Sequence, residues 1–234
     1  DETILAVARE QGISIPSLCY LEGLSIWGAC RLCVVEIEGS SRLVSACSTR
    51  VAEGMRVHCN TERLQRYRRM IIELLFAERN HVCSVCVSNG HCELQTLGYS
   101  LGMDHVRYDY LFPKWAVDTT HRLFGMDHNR CILCRRCIRA CGEMSAVHTL
   151  GTGQRGAKTM VVADLRVPFG ASSCISCGSC LQVCPTGALM DRRSAYMGGC
   201  VEVERARTTC MACSVGCTID AVHRSNQLLR VEGV

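Results

Sequence analysis

The chain has 234 residues, and 20 of them, about one in twelve, are cysteine. Disulfide-dense scaffolds rarely exceed ~100 residues, so this length points to metal-bound thiolates in a reducing compartment, while 21% charged residues and a mean hydropathy of +0.11 exclude a disordered chain. A net charge of +4 does not demand nucleic acid, no apolar run approaches the ~18–20 residues of a membrane span, and Asp1-Glu2-Thr3 opens no signal peptide.

From the front, residues 3–11 read as a short helix with Ile4, Leu5, Val7 and Ala8 inward and Gly12 as its stop. Residues 34–38 alternate like a strand, Gly39-Ser40-Ser41 turns it, and residues 42–44 return. That hairpin would hold Cys33 near Cys47. Residues 55–59 read as another strand. Asn60 or Thr61 can cap a helix running to about residue 77, with Leu64, Tyr67, Ile71, Leu74 and Leu75 buried. Its arginines, Arg63, Arg66, Arg68 and Arg69, read as a solvated face, the alternative being a docking surface for an acidic partner. Residues 146–150 and 159–165 read as strands around a Gly-rich turn. The turn matches the dinucleotide fingerprint at Gly151, Gly153 and Gly156, but a strand follows instead of a helix, so the motif is rejected.

The cysteines carry the chemistry. Cys131, Cys134, Cys137 and Cys141 are spaced Cys-x2-Cys-x2-Cys-x3-Cys, and Cys174, Cys177, Cys180 and Cys184 repeat that spacing before Pro185. Three close thiolates cap three irons of a cubane, and the fourth cysteine ligates the other cluster. The expected sets are therefore Cys131, Cys134, Cys137 with Cys184, and Cys174, Cys177, Cys180 with Cys141. Zinc prefers two separated knuckles, so doubled triplets fit it poorly. Cys19, Cys30, Cys33 and Cys47 supply four thiolates, enough for one [2Fe–2S]. Cys83, Cys86 and Cys92 have His81 and His91 nearby. Cys210, Cys213 and Cys217 form a last group, with Cys200 upstream, and Cys59 reads as inert.

Several stretches resemble known families. The doubled loops resemble bacterial two-cluster ferredoxins, departing in Gly142 after Cys141 and in the long insert. Ser17-Leu18-Cys19-Tyr20 and Gly28-Ala29-Cys30-Arg31-Leu32-Cys33 resemble the N-terminal module of the complex I large iron–sulfur subunit and its hydrogenase relatives. There a β-hairpin precedes the helix in a β-grasp fold; here the chain starts at the helix, so that hairpin is expected to be missing. The stretch through Cys92-Glu93-Leu94-Gln95 resembles the same family's [4Fe–4S] site with one histidine and three cysteines. The family's histidine position falls on Arg79, which cannot ligate iron; a two-residue deletion aligns His81, the expected fourth ligand, with His91, another group or none as alternatives. Residues 208–217 resemble the opening of molybdopterin oxidoreductases and the complex I large subunit, implying a possible fourth cubane whose fourth ligand is Cys200 or lies beyond Val234; the alternative is a vestige with free thiols.

Residues 3–195 resemble the iron–sulfur diaphorase subunit of bidirectional NAD(P)-linked [NiFe] hydrogenases. Glu78-Arg79-Asn80-His81, Gly102-Met103-Asp104-His105-Val106-Arg107 and Asp127-His128-Asn129-Arg130-Cys131 carry that likeness. It implies an α+β chain in four parts. These are a β-grasp [2Fe–2S] ferredoxin-like domain over 1–62, a small helical [4Fe–4S] domain with one histidine and three cysteines over 63–110, a two-cluster ferredoxin-like domain over 111–195, and a cysteine-containing extension over 196–234. It also implies a cytoplasmic electron-transfer subunit with one [2Fe–2S] and three [4Fe–4S], between a partner holding FMN and NAD(P) and a hydrogenase small subunit, the large subunit beyond. An NAD-linked formate dehydrogenase or a complex I large-subunit fragment is the runner-up. A structural zinc or nucleic-acid-binding protein is the reading from another class.

Overall fold

The computed structural model describes residues 2–199 and 202–234, so Cys200 lies outside the described residues. Helix α1 (Ile4–Glu10) is capped by the Thr3 hydroxyl, which accepts from the Ala6 amide, and it buries Ile4, Leu5 and Ala8. Beneath it lies an antiparallel sheet of β1 (Val34–Ile37), β2 (Leu43–Ser45) and β3 (Val57–His58), in the order β2-β1-β3. Ile4, Leu5, Ile15, Val35 and Ala46 form the core between them, together with Cys33 and Cys47. The β1–β2 hairpin brings those two cysteines together, the Ala46 amide donating to the Cys33 carbonyl at 2.9 Å.

Helix α2 (Glu62–Glu78) starts at Thr61, whose hydroxyl accepts from the Leu64 amide. Its inward stripe differs from the periodic reading. Leu64, Arg68, Ile72, Glu73 and Ala77 are buried, while Tyr67 and Leu74 are exposed. The solvated arginine face is therefore corrected at Arg68, whose Nε donates to the Leu32 carbonyl at 3.1 Å and Nη2 to Val34 at 2.9 Å. Those carbonyls flank Cys33, so a buried cation clamps that loop. Arg68→Met leaves both without a donor. An unsatisfied buried polar group costs about 1–3 kcal/mol, so the thermal midpoint should fall by roughly 10 °C in a chain of this size. A circular-dichroism melt that moves by less than ~2 °C would contradict this role.

Helix α3 (Glu93–Ser100) packs against α2, and its first amide, on Glu93, donates to the Pro185 carbonyl at 2.9 Å. The next part is closed by β4 (Phe124–Met126) pairing antiparallel with β7 (Leu189–Asp191), one strand before the first doubled loop and one after the second. Helices α4 (Arg136–Arg139) and α5 (Ser179–Gln182) lie between them. The insert is a hairpin of β5 (Leu150–Gly153) and β6 (Met160–Ala163). It is shifted from the expected strand over 146–150, because Ala146 and His148 take left-handed backbone conformations and break extension there. Gly151 and Gly153 are strand residues, followed by a single 3-10 turn (Gly156–Lys158) and then β6 rather than by an α-helix. The chain ends in an antiparallel sheet of β8 (Glu204–Thr209), β9 (Thr218–Arg224) and β10 (Gln227–Gly233), ordered β10-β9-β8. No helix among the described residues is long and apolar enough to cross a membrane.

Candidate metal centres

The two doubled loops share one backbone design. Two residues after the first cysteine, Leu133 and Ser176 are left-handed, with φ of 54° and 62°. Four residues after it, Arg135 and Gly178 are left-handed too, with φ of 58° and 81°. The amides of Leu133 and Ser176 each donate to that first sulfur, on Cys131 and Cys174, at 3.4 Å. Non-glycine residues in this region carry strain. Here the strain turns each loop into a bowl with its sulfurs inward.

Three compact cavities gather the expected side chains. One is lined by Cys131, Cys134, Cys137 and Cys184. A second is lined by Cys141, Cys174, Cys177 and Cys180. The fourth cysteine of each loop has crossed to the other cavity, because Cys141 follows α4 and Cys184 follows α5. Their other walls are largely apolar: Met126, Ile132 and Leu189 in one, Phe124, Leu150 and Phe169 in the other. Burial pushes the thiol of Cys131 up to about 11 and those of Cys134 and Cys180 up to about 12. These thiols therefore stay protonated without a cation to displace the protons.

The third cavity is lined by His81, Cys83, Cys86 and Cys92. The His81 Nε2 is buried without a hydrogen-bond partner. Burial, with Arg130 and Arg79 adding repulsion, holds its pKa down to about 4, so the ring is neutral. A buried ring nitrogen, on a residue lining the same cavity as three thiols, lacks the partner such groups almost always have. Arg79 does not contend for the place: it lies over the Trp115 ring at 4.1 Å and donates to the Thr159 carbonyl at 2.8 Å. His91 lines a different cleft, between Glu93 and the Arg230–Glu232 end of β10. Gly187 closes the third cavity, where a Cβ would stand 2.6 Å from the Cys86 sulfur.

The first group falls into two neighbouring pairs. Interaction with Cys30 lowers the pKa of Cys19, interaction with Cys47 lowers that of Cys33, and the Cys30 and Cys47 thiols are pushed up. Cys19, Cys33 and Cys47 are fully buried. Four thiols in two pairs fit a two-iron group, one pair per iron. Among the described residues no three His, Cys, Asp or Glu side chains form a group able to hold one metal ion; the thiols of the second, third and fourth groups instead line three cavities. The last group is built differently. Cys210 follows β8 and Cys217 precedes β9, the Cys210 amide donating to the Cys217 carbonyl at 2.8 Å. Cys210, Cys213 and Cys217 thus sit on one hairpin tip, the latter two exposed. Whether Cys200 joins them falls outside the described residues. Cys59 is half-buried against the first core.

Arginine is the functional residue type that the cysteine pattern alone passes over. Arg136 donates bidentately to Glu93 at 2.6 and 2.9 Å and to the Tyr20 carbonyl at 3.0 Å. Arg139 reaches the Cys19 carbonyl. The signal for both is Arg135-Arg136-Cys137-Ile138-Arg139, cations interleaved with ligand-spaced cysteines.

Three family models match in succession. A 2Fe-2S iron–sulfur cluster binding domain covers residues 1–62, the NADH-ubiquinone oxidoreductase-G iron–sulfur binding region covers 68–107, and a 4Fe-4S dicluster domain covers 127–188. The alpha subunit of an NADPH-Fe(3+) oxidoreductase from Geobacter sulfurreducens is 34% identical over 99% of this chain, which spans only 27% of that protein. The gamma subunit of the NAD-reducing hydrogenase HoxS from Cupriavidus necator is 32% identical over 83% of this chain and 82% of its own length. The chain belongs to the hydrogenase gamma-subunit family. In accord with this, it superposes on a chain of an NAD+-reducing [NiFe]-hydrogenase crystal structure in the H2-reduced state. The TM-score is 0.79 at 34% identity, over 84% of this chain and 83% of that one. Members of this family are oxidoreductase subunits, and their 2Fe-2S and 4Fe-4S domains correspond to the parts of this chain that gather the thiols.

Proposed function

We propose that this chain conducts single electrons through one [2Fe–2S] and three [4Fe–4S] clusters, between a flavin- and NAD(P)-binding partner and a [NiFe] hydrogenase module. When bound, each cluster takes up and releases one electron. Cys19, Cys30, Cys33 and Cys47 would hold the two-iron group. His81 with Cys83, Cys86 and Cys92 would hold one cubane; Cys131, Cys134, Cys137 and Cys184 a second; Cys141, Cys174, Cys177 and Cys180 a third. The observation that carries this reading is the set of three cavities, each lined by four ligand-type side chains, two of them completed across loops. The chain's own contribution is to bury most of the sulfurs, Cys177 excepted, to donate amides to them, and to set cations beside them. These are the levers that fix cluster potential. A cytoplasmic setting and the division at 62, 110 and 195 belong to the same proposal.

The test is a Cys134→Ser variant assembled with its flavin and hydrogenase partners. NADH-linked hydrogen turnover should fall at least ~100-fold, the size of loss seen when a part essential to a chain of events is removed, while reduction of a dye at the flavin remains. Linked turnover near wild type would mean electrons do not pass this site.

A second reading stands on one observation. The NADPH-Fe(3+) oxidoreductase alpha subunit and an NADH-quinone oxidoreductase subunit of Rhizobium meliloti align over 99% and 98% of this chain, whereas the hydrogenase subunit aligns over 83%. The final β-sheet with its cysteine tip thus favours a larger subunit of that kind, in which Cys210, Cys213 and Cys217 would hold a further cubane.

A further inference from the structure

Helix α4 carries two nearly buried arginines one turn apart, and their partners differ in kind. Arg136 is neutralised by the Glu93 carboxylate. Arg139, 6% exposed, forms no ion pair among the described residues. All its donors go to backbone carbonyls. Nη2 donates to Cys19 at 2.5 Å and to Cys134 at 3.4 Å, Nη1 donates to Ser25, and Nε donates to Arg135 at 3.3 Å. One guanidinium therefore spans a cysteine of the first group and a cysteine of the first doubled loop. Cys19 and Cys134 also share one apolar cluster with Leu18, Leu32 and Ile132, so little water lies between them.

We propose that Arg139 is a positioning residue that joins the two-iron site to the adjacent cubane and sets one permanent positive charge beside both. The exposed Glu143 carboxylate feels that charge across Ser25 without pairing with it. The inference rests on the cluster assignment above. A guanidinium cannot shed its proton in a protein, so this charge is permanent. Reduction adds a negative charge to a group already surrounded by thiolates. A fixed cation in a water-poor site stabilises the reduced state of both neighbours. The Cys141–Cys174–Cys177–Cys180 site has no such contact with Arg139, so its potential serves as the internal reference.

The test is a redox titration of anaerobically purified protein, followed by electron paramagnetic resonance, with iron counted in each variant. Wild-type protein without iron or cluster signals would defeat the cluster assignment itself, separately from this inference. Arg139→Gln should keep its iron while the two-iron site and its neighbouring cubane both become harder to reduce by at least tenfold, or about 59 mV for one electron. Arg139→Lys, which keeps the charge and loses the fork, should titrate within threefold of wild type at both sites. Unchanged potentials in an iron-replete Arg139→Gln protein would overturn the proposal, as would a shift at one site only. If Arg139→Gln loses iron, Arg139→Lys decides. Full loading with near-native potentials supports the role of charge; loss of the same clusters leaves a mere structural clamp and refutes it.

Discussion

Combining Cys184→Ala with Cys134→Ala should remove no more iron than either substitution alone. Each single change should lower the content by about four irons per chain, one cubane. Both residues line one cavity, with Cys131 and Cys137. The double variant should therefore still lack only that cubane, and non-additivity of this kind marks members of one unit. Cys141→Ala with Cys177→Ala should behave likewise, since both line the other cavity. Pairs drawn across the cavities, such as Cys134→Ala with Cys141→Ala, should lose about eight irons. If each loop held its cluster with its own four cysteines, the pattern would reverse: the Cys184/Cys134 pair would lose about eight and the Cys134/Cys141 pair about four. Iron and labile-sulfide analysis of three double variants distinguishes the two.

His81→Ala should also cost about four irons, whereas His91→Ala should cost none. The asymmetry follows from the surroundings of the two rings. His81 lines a cavity with three thiols, and its Nε2 is buried without a partner. His91 lies in the cleft facing β10, where Arg230 and Arg205 are among the charges it senses. His81→Cys should restore the irons and make that cubane harder to reduce, because a thiolate replaces a neutral imidazole and adds negative charge. A His81→Ala protein with a full iron count, or a His91→Ala protein that loses iron, would transfer the role away from His81.

Local pattern made much of the fold legible. The Thr3 cap, the Ile4–Leu5–Ala8 face and the hairpin that joins Cys33 to Cys47 all follow from residues within a few positions of one another. What escaped was non-local. Periodicity sends charge outward, yet α2 buries Arg68 on the carbonyls of Leu32 and Val34 and Glu73 against the Arg107 side chain at 2.8 Å. That exchange of partners turns Tyr67 and Leu74 to solvent. Residues 146–149 have a strand's composition, but left-handed Ala146 and His148 serve the turn after Cys141. Cysteine spacing predicted which thiols would gather, since it encodes loop geometry directly. The arginines between those cysteines drew no reading from the sequence, because nothing in it indicates that carbonyls distant in the chain converge on Arg139.

The most direct measurement is iron, zinc and acid-labile sulfide per chain in anaerobically purified protein. About 14 irons with matching sulfide are expected, rising to about 18 if the Cys210–Cys217 tip holds a further cubane. Roughly four to five zincs with no sulfide would make these thiolates structural and contradict electron transfer through the chain.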